Sequence, residues 1–143
     1  MGYNGVLLIS NGYKLTTMKI FNIAFCIIFI VFAALQYNDP DPYLWIPIYL
    51  WVAFLCMQAA KNKFFTNAYI ITIIVFSVYA VYKVVDQNGL LDWINEHHAE
   101  NIAETMKAEK PWIEESREFF GLLILIGVLI IDLVYAKRKS RHT

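Results

Sequence analysis

Four long apolar stretches restrict the fold of this chain more than any other feature of its sequence. They cover residues 18–35, 43–60, 64–82 and 119–136, about half of the 143 residues. As a helix, each is about 27 Å long at ~1.5 Å per residue, close to the ~30 Å hydrocarbon thickness of a bilayer. Because lipid offers the backbone no hydrogen bonds, such stretches cross a membrane as helices. We therefore predict an all-α protein, a four-helix antiparallel transmembrane bundle.

Composition argues against the soluble classes of protein. Apolar residues make up 59% of the chain and charged residues 17%, whereas soluble domains have ~45–50% and ~25%. A chain of this length cannot hide so much apolar surface from water behind so few charges. The net charge is zero, so no overall field attracts nucleic acid. The expected partner is the lipid bilayer, with no nucleic acid.

The sequence contains no familiar catalytic or redox motif. Cys26 and Cys56 lie thirty residues apart inside apolar stretches, which gives neither a CxxC pair nor a zinc spacing. Buried free cysteines usually behave as small apolar side chains. Glycine-rich phosphate loops, GxSxG turns and HExxH pairs do not occur. We predict no cofactor. The lack of a catalytic motif argues against an enzyme, and an enzyme is kept as the alternative below.

The N-terminal segment has a different character from the apolar stretch that follows it. Residues 1–17 show no sustained period, and Met18 opens the run MKIFNI, which is typical of a native bacterial start. We expect residues 1–17 to be a start-site extension or a disordered leader. A signal peptide is disfavoured, because no small-x-small cleavage site follows and three more apolar stretches come after. The predicted transmembrane domain is 18–136, followed by a basic cytoplasmic tail at 137–143.

Charge predicts how the bundle is oriented. Residues 1–19, 61–63 and 137–143 hold eight cations and no acid, whereas residues 36–42 and 83–118 hold four cations and eleven acids. Short loops rich in lysine and arginine stay on the cytoplasmic side. Both termini are therefore expected in the cytoplasm, with the protein in a bacterial inner (plasma) membrane.

The first outer turn, residues 36–42, reads QYNDPDP. Proline disfavours the helical conformation at the residue before it, and Asp39 precedes Pro40. The first span is therefore expected to end near Asn38. Asp41 followed by Pro42 is typical of a helix N-cap and first helical position. A role at the start of the second helix is enough to explain why Asp39 and Asp41 occur here. The alternative is that these carboxylates and the Asn38 amide bind a cation or polar ligand.

The long connection before the fourth span is expected to carry its own structure, because a 36-residue loop is rarely structureless. We predict an amphipathic extracytoplasmic cap over residues 86–117. An acidic stripe recurs every four residues on one helical face. Such a face is unusual for a helix on lipid, where cations dominate, so packing on protein is favoured. The stripe consists of Asp92, Glu96, Glu100 and Glu104.

Two adjacent histidines in this cap, His97 and His98, allow two interpretations. They form hydrogen bonds across the bundle mouth or contact headgroups, which is the simpler interpretation. Alternatively, one joins Asp39, Asp41 or an outer glutamate as a ligand for zinc, copper or iron, or as a proton relay. Adjacent side chains on a helix diverge by ~100°, so the two cannot easily bind one ion together.

The entrance of the fourth span is rich in charge. Pro111 suits a first helical position, which predicts a helix from Pro111 to Ala136. Arg117 is expected to pair with Glu114 one turn earlier. Glu118 lies at the edge of the hydrocarbon region, close to other carboxylates. One interpretation is a site that takes up and releases protons, and the other is a charged start of the helix that water solvates.

Few polar residues lie inside the apolar stretches. Asp132 is one turn from the cytoplasmic end, and we expect it near Lys137 and Arg138. An ionisable residue deeper in a membrane is costly and usually functional. No stretch contains a pair of buried charges, which argues against a channel or pump.

Several short motifs carry a resemblance to a known family. The run LQYNDPDP at 35–42 leads to Trp45, and it is followed by DWI at 92–94, the histidine pair and Arg117-Glu118. In these motifs the chain resembles the transmembrane protein 220 family over about residues 18–136. The resemblance implies a small multi-helix membrane protein and marks the outer polar cap as the place of function. It implies no catalytic residue.

Two hypotheses for function follow. The first is a structural or accessory protein whose acidic cap binds another membrane or extracytoplasmic protein, or headgroups. The alternative is a metal- or proton-dependent membrane enzyme using Asp39, Asp41, His97, His98 and Glu118, of which the first four are the candidate metal ligands. The candidate outer polar cluster consists of Asn38, Asp39, Asp41, His97, His98, Glu104, Glu114, Arg117 and Glu118.

Overall fold

The computed structural model describes residues 2–86, 90–95 and 111–141, and over these ranges the chain is helical with no strand. A 3₁₀ turn separates the first two helices. The elements are α1 (Gly2–Leu35), the 3₁₀ turn (Gln36–Asn38), α2 (Pro42–Ala60), α3 (Thr66–Val85), α4 (Leu90–Asn95) and α5 (Pro111–Arg141).

Four of these helices are long and apolar enough to cross a membrane, over Gly12–Asn38, Pro42–Ala60, Thr66–Val85 and Ile113–Arg141. Large aliphatic side chains cover their outer surfaces, which is the reverse of a soluble fold and fits contact with lipid. The predicted all-α architecture with four membrane-spanning helices is confirmed.

The spanning helices pack as two pairs, α1 with α2 and α3 with α5. Aromatic side chains fill the first pair, where the ring of Phe29 stacks on that of Tyr49 with centroids 6.3 Å apart. Three leucines of α5, Leu122, Leu125 and Leu129, are fully buried. The core therefore runs along the bundle axis, and the cysteines Cys26 and Cys56 are free, as expected.

Charged residues collect at the two ends of the bundle. We call the end formed by residues 36–42, 83–86 and 111–118 the acidic end. The end formed by residues 12–19, 61–65 and 137–141 is the basic end. At the basic end Asn62 adopts a left-handed backbone (φ 63°), which asparagine tolerates, and its side-chain oxygen accepts a hydrogen bond from Lys139.

The turn at the acidic end follows the prediction in its boundaries but not in its capping. The 3₁₀ turn ends at Asn38, and Pro42 is the first residue of α2. Asp41 occupies the N-cap position, but its side chain makes no capping hydrogen bond. Its carboxylate accepts instead from the Tyr43 hydroxyl at 3.0 Å, while its backbone oxygen accepts from Leu44 N at 3.1 Å. The backbone, rather than the carboxylate, starts the helix.

The first helix begins well before the predicted start of the first span. It starts at Gly2, so the described residues before Met18 are helical where a disordered leader was one of the expectations. No proline interrupts this segment, and a helix that the apolar span stabilises extends readily through it. The hydroxyls of Thr16 and Thr17 donate to the carbonyls of Gly12 and Tyr13 at 3.0 and 2.9 Å, which occupies them within the helix.

Only part of the predicted cap is described. Its residues 90–95 form α4, and residues 111–117 belong to α5. His97, His98 and Glu104 lie outside the described residues. The amphipathic cap helix therefore stays a prediction.

Candidate functional site

A buried ion pair joins α3 to α5 at the acidic end. The Lys83 Nζ lies 2.6 Å from the Glu115 carboxylate and forms a second ion pair with Glu118. Lys83 is 6% exposed and Glu118 is 7% exposed. The Trp45 indole of α2 donates its N–H to Glu118 Oε1 at 2.6 Å. Glu118 is therefore the point where three helices meet, and we call Trp45, Lys83, Glu115 and Glu118 the Lys83 cluster.

Local sequence spacing explains this cluster. Glu115 and Glu118 are three residues apart, so they share one face of α5 and both reach the same ammonium group. Tyr79 lies one turn before Lys83, and its ring centroid is 5.3 Å from the Lys83 Nζ, within the range of a cation–π contact. A lone buried ammonium is costly, and the two carboxylates offset that cost.

The cluster lies just beyond two apolar stretches, which end at Tyr82 and begin at Phe119. Inside those stretches no pair of buried charges was expected, and the cluster does not change that inference. The helices continue past these limits: α3 ends at Val85, and α5 begins at Pro111, as predicted. Lys83 and Glu118 thus lie on packed helical faces. The spacing of Glu115 and Glu118, opposite a lysine that ends an apolar stretch, was the available signal.

Several predicted site residues surround the cluster. Burial raises the pKa of the Asp39 carboxyl, the nearby Arg117 guanidinium opposes that rise, and Asp41 adds to it. Glu114 is within electrostatic range of both aspartates. The structure brings Asp39, Asp41, Glu114, Arg117 and Glu118 to one end of the bundle, where Asn38 is exposed.

Negative charge is in excess at this end. Residues 36–42, 83–86 and 111–118 contain six carboxylates and two cations. Lys83 is enclosed by two of the carboxylates, Glu115 and Glu118. Asp39, Asp41 and Glu114 are half-buried and accessible from outside the bundle, and we call these three residues the acidic rim. The acidic end is thus suited to attracting cationic groups.

A second buried polar contact lies towards the basic end. The Asn22 amide donates to Asp132 Oδ1 at 2.8 Å and to the Met18 carbonyl at 3.1 Å. Asn22 and Asp132 are both fully buried. Asp132 was expected near Lys137 and Arg138, and its side chain points into the bundle, where it bonds Asn22 of α1.

Metal ligation was one hypothesis for the outer cluster. The described ranges contain no group of three or more His, Cys, Asp or Glu side chains able to hold a metal ion. The candidates His97 and His98 lie outside those ranges, so the metal and histidine-relay hypotheses stay predictions.

Comparison with protein families gives a match over most of the chain. The family model described as transmembrane family 220, helix, matches residues 28–134. The matched range includes the whole Lys83 cluster. No curated protein and no solved structure matches the chain.

Proposed function

Since the chain belongs to transmembrane family 220, we propose that it is a non-enzymatic accessory membrane protein whose acidic end binds a basic segment of a partner membrane protein. The observation that carries the proposal is the excess of six carboxylates over two cations at one end of an apolar bundle. Such an excess attracts cationic segments, most strongly at low salt.

The Lys83 cluster supports binding rather than chemistry. The Lys83 ammonium forms ion pairs with Glu115 and Glu118, and Glu118 also accepts a hydrogen bond from the Trp45 indole N–H. These contacts hold α2, α3 and α5 in one arrangement, and a rigid surface loses little entropy on binding a partner. Asp39, Asp41 and Glu114 are at the rim of this support, where a cationic partner has access to them.

The orientation belongs to the same proposal. Lysine and arginine dominate the basic end, which by the positive-inside bias lies in the cytoplasm with both termini. The acidic end then faces the outside of the cell or organelle. Localisation in a bacterial plasma membrane stays a prediction.

The proposal is tested by partner capture in cells, with a photo-crosslinker in place of the exposed Tyr43 beside the acidic rim. Mass spectrometry identifies the captured proteins. The variant Asp39→Asn/Asp41→Asn/Glu114→Gln is expected to lose them, because it removes rim charge and leaves the Lys83 cluster intact. The matched control, Lys63→Gln/Lys137→Gln/Arg138→Gln, neutralises three exposed charges at the other end and is expected to retain them.

Two outcomes would contradict the proposal. One is capture of the same proteins by the acidic-rim variant and the parent. The other is recovery of lipid adducts alone, which would favour headgroup binding. Captured segments rich in lysine or arginine, released as salt rises, are the expected result.

A further inference from the structure

We propose that the basic end contains a second site, which binds the phosphate group of an anionic membrane lipid. This inference is independent of the function proposed for the acidic end. A cavity of about 350 Å³ opens there between the start of α1, the α2–α3 turn and the end of α5. Its volume falls in the range of small-molecule sites. The residues that matter are Thr16, Lys19, Lys61, Asn62, Phe64 and Tyr135.

Two lysines from separate elements open onto this one cavity. Lys19 belongs to α1 and Lys61 directly follows α2, so only the folded bundle brings them together. The side-chain oxygen of Asn62 accepts from Lys139, which leaves its amide N–H groups as donors and brings a third cation close. Ammonium and amide donors are groups that bind phosphate oxygens.

No carboxylate competes for these cations within the basic end, since residues 12–19, 61–65 and 137–141 contain no aspartate or glutamate. Asp132 is the nearest acid of α5 in sequence, and it is fully buried and bonded to Asn22. The field at the cavity is therefore positive, and an anion is the expected occupant.

The apolar part of the lining points to a lipid rather than to a small hydrated anion. Six of the ten lining residues contribute apolar surface to the cavity: Leu15, Met18, Ala59, Ala60, Phe64 and Tyr135. The cavity also lies where the spanning helices reach the membrane–water boundary, the level of lipid phosphates. Basic pockets between transmembrane helices recognise acidic headgroups in this way. We expect the lysines to bind the phosphate. The glycerol and the upper part of the acyl chains are expected to contact the apolar wall of the cavity.

The test uses the purified full chain in nanodiscs of neutral phosphatidylcholine, with phosphatidylglycerol added in steps. Native mass spectrometry counts retained lipids, and thermal unfolding reports binding. The variant Lys19→Gln/Lys61→Gln is expected to bind phosphatidylglycerol about fivefold more weakly for each lysine removed. The matched control, Lys63→Gln/Lys137→Gln, removes two cations of the same end that do not line the cavity, and we expect parental affinity.

Two further arms make the result decisive. Lys19→Arg/Lys61→Arg keeps both charges and is expected to bind the lipid, which separates loss of charge from loss of fold. Glycerol 3-phosphate and inorganic phosphate, which have no acyl chains, are expected to bind much more weakly than the lipid. Equal weakening in the cavity variant and the control would overturn the site. Binding of glycerol 3-phosphate as tight as that of the lipid would overturn the assignment to a lipid.

Discussion

At the residue scale, the side chain that matters most is Lys83, which lies in the last turn of α3 yet is buried. Replacing it with methionine keeps the length of the side chain but leaves the buried Glu118 and the partly exposed Glu115 without a cation. Breaking a buried ion pair in this way costs roughly 3–5 kcal/mol. We expect Lys83→Met to lower the free energy of unfolding by that order, measured by denaturant titration in mixed micelles.

The control for this prediction is Lys63→Met, at an exposed lysine of the basic end, where little change is expected. Adding Glu115→Gln and Glu118→Gln to Lys83→Met neutralises the stranded carboxylates and is expected to recover much of the loss. A triple variant no more stable than Lys83→Met alone would contradict the electrostatic explanation.

The indole of Trp45 gives a second prediction at this scale. Trp45→Phe removes the N–H that donates to Glu118 at 2.6 Å. A hydrogen bond to a charged group contributes about 1.5–3 kcal/mol, and a neutral one about 0.5–1.5 kcal/mol. The matched control is Trp45→Phe made in a Glu118→Gln background, where the same ring is lost but the acceptor is a neutral amide. Unfolding measurements are expected to show the larger loss for Trp45→Phe in the parent, and equal losses in the two backgrounds would contradict the assignment.

Residue type and spacing predicted part of this site and not the rest. The QYNDPDP turn placed Asn38, Asp39 and Asp41 at one end of the bundle, since proline and aspartate act on the backbone locally. Trp45 follows this turn by three residues, so the sequence places it at the same end of the bundle. Its contact with Glu118 joins residues 73 positions apart in sequence, and no local rule specifies which side chains of two distant helices meet.

At the element scale, Gly121 of α5 leaves room for the Tyr49 ring of α2. A Cβ atom at Gly121 would lie 2.5 Å from the Tyr49 hydroxyl oxygen, whereas one at Gly127 would meet nothing within 4 Å. Gly121→Ala therefore requires Tyr49 or α2 to move, and overpacking of this kind costs about 1–3 kcal/mol. Gly127→Ala is expected to be neutral or stabilising, because alanine favours helix more than glycine does.

Thermal unfolding of the two alanine variants in one detergent checks this prediction. The variant Gly121→Ala/Tyr49→Phe removes the hydroxyl that the new methyl group meets, so partial recovery is expected. Equal stability of Gly121→Ala and Gly127→Ala would show that α2 and α5 do not depend on the close approach.

Helix identity was predictable from the sequence, but helix length was not. Twenty or so apolar residues require a helix in lipid, which fixed the number and order of the spanning helices. The apolar stretches mark the part of each helix in hydrocarbon and not its ends. For α1, continuing backbone hydrogen bonds carry the helix back to Gly2, through residues that hydropathy alone assigned to a leader. The start of α5 is the exception, because proline at a first helical position predicted it at Pro111.

At the scale of the whole molecule, two helical pairs are joined by buried polar bonds near opposite ends. Trp45 and Glu118 connect them near the acidic end, and Asn22 and Asp132 connect them towards the basic end. Apolar packing specifies the contact between helices only loosely in lipid, where the surroundings are equally apolar. Directional bonds between buried groups therefore fix which faces of the two pairs meet.

The bond between Asn22 and Asp132 tests this view of the assembly. Asn22→Leu leaves a fully buried carboxylate without its amide partner, so a loss of about 3 kcal/mol in unfolding free energy is expected. Asn22→Leu/Asp132→Leu replaces both groups by apolar side chains and is expected to recover most of that stability. Denaturant titration of the two variants and the parent measures the difference. A double variant less stable than Asn22→Leu would contradict the pairing, because removing a stranded carboxylate cannot cost stability if the amide was its partner.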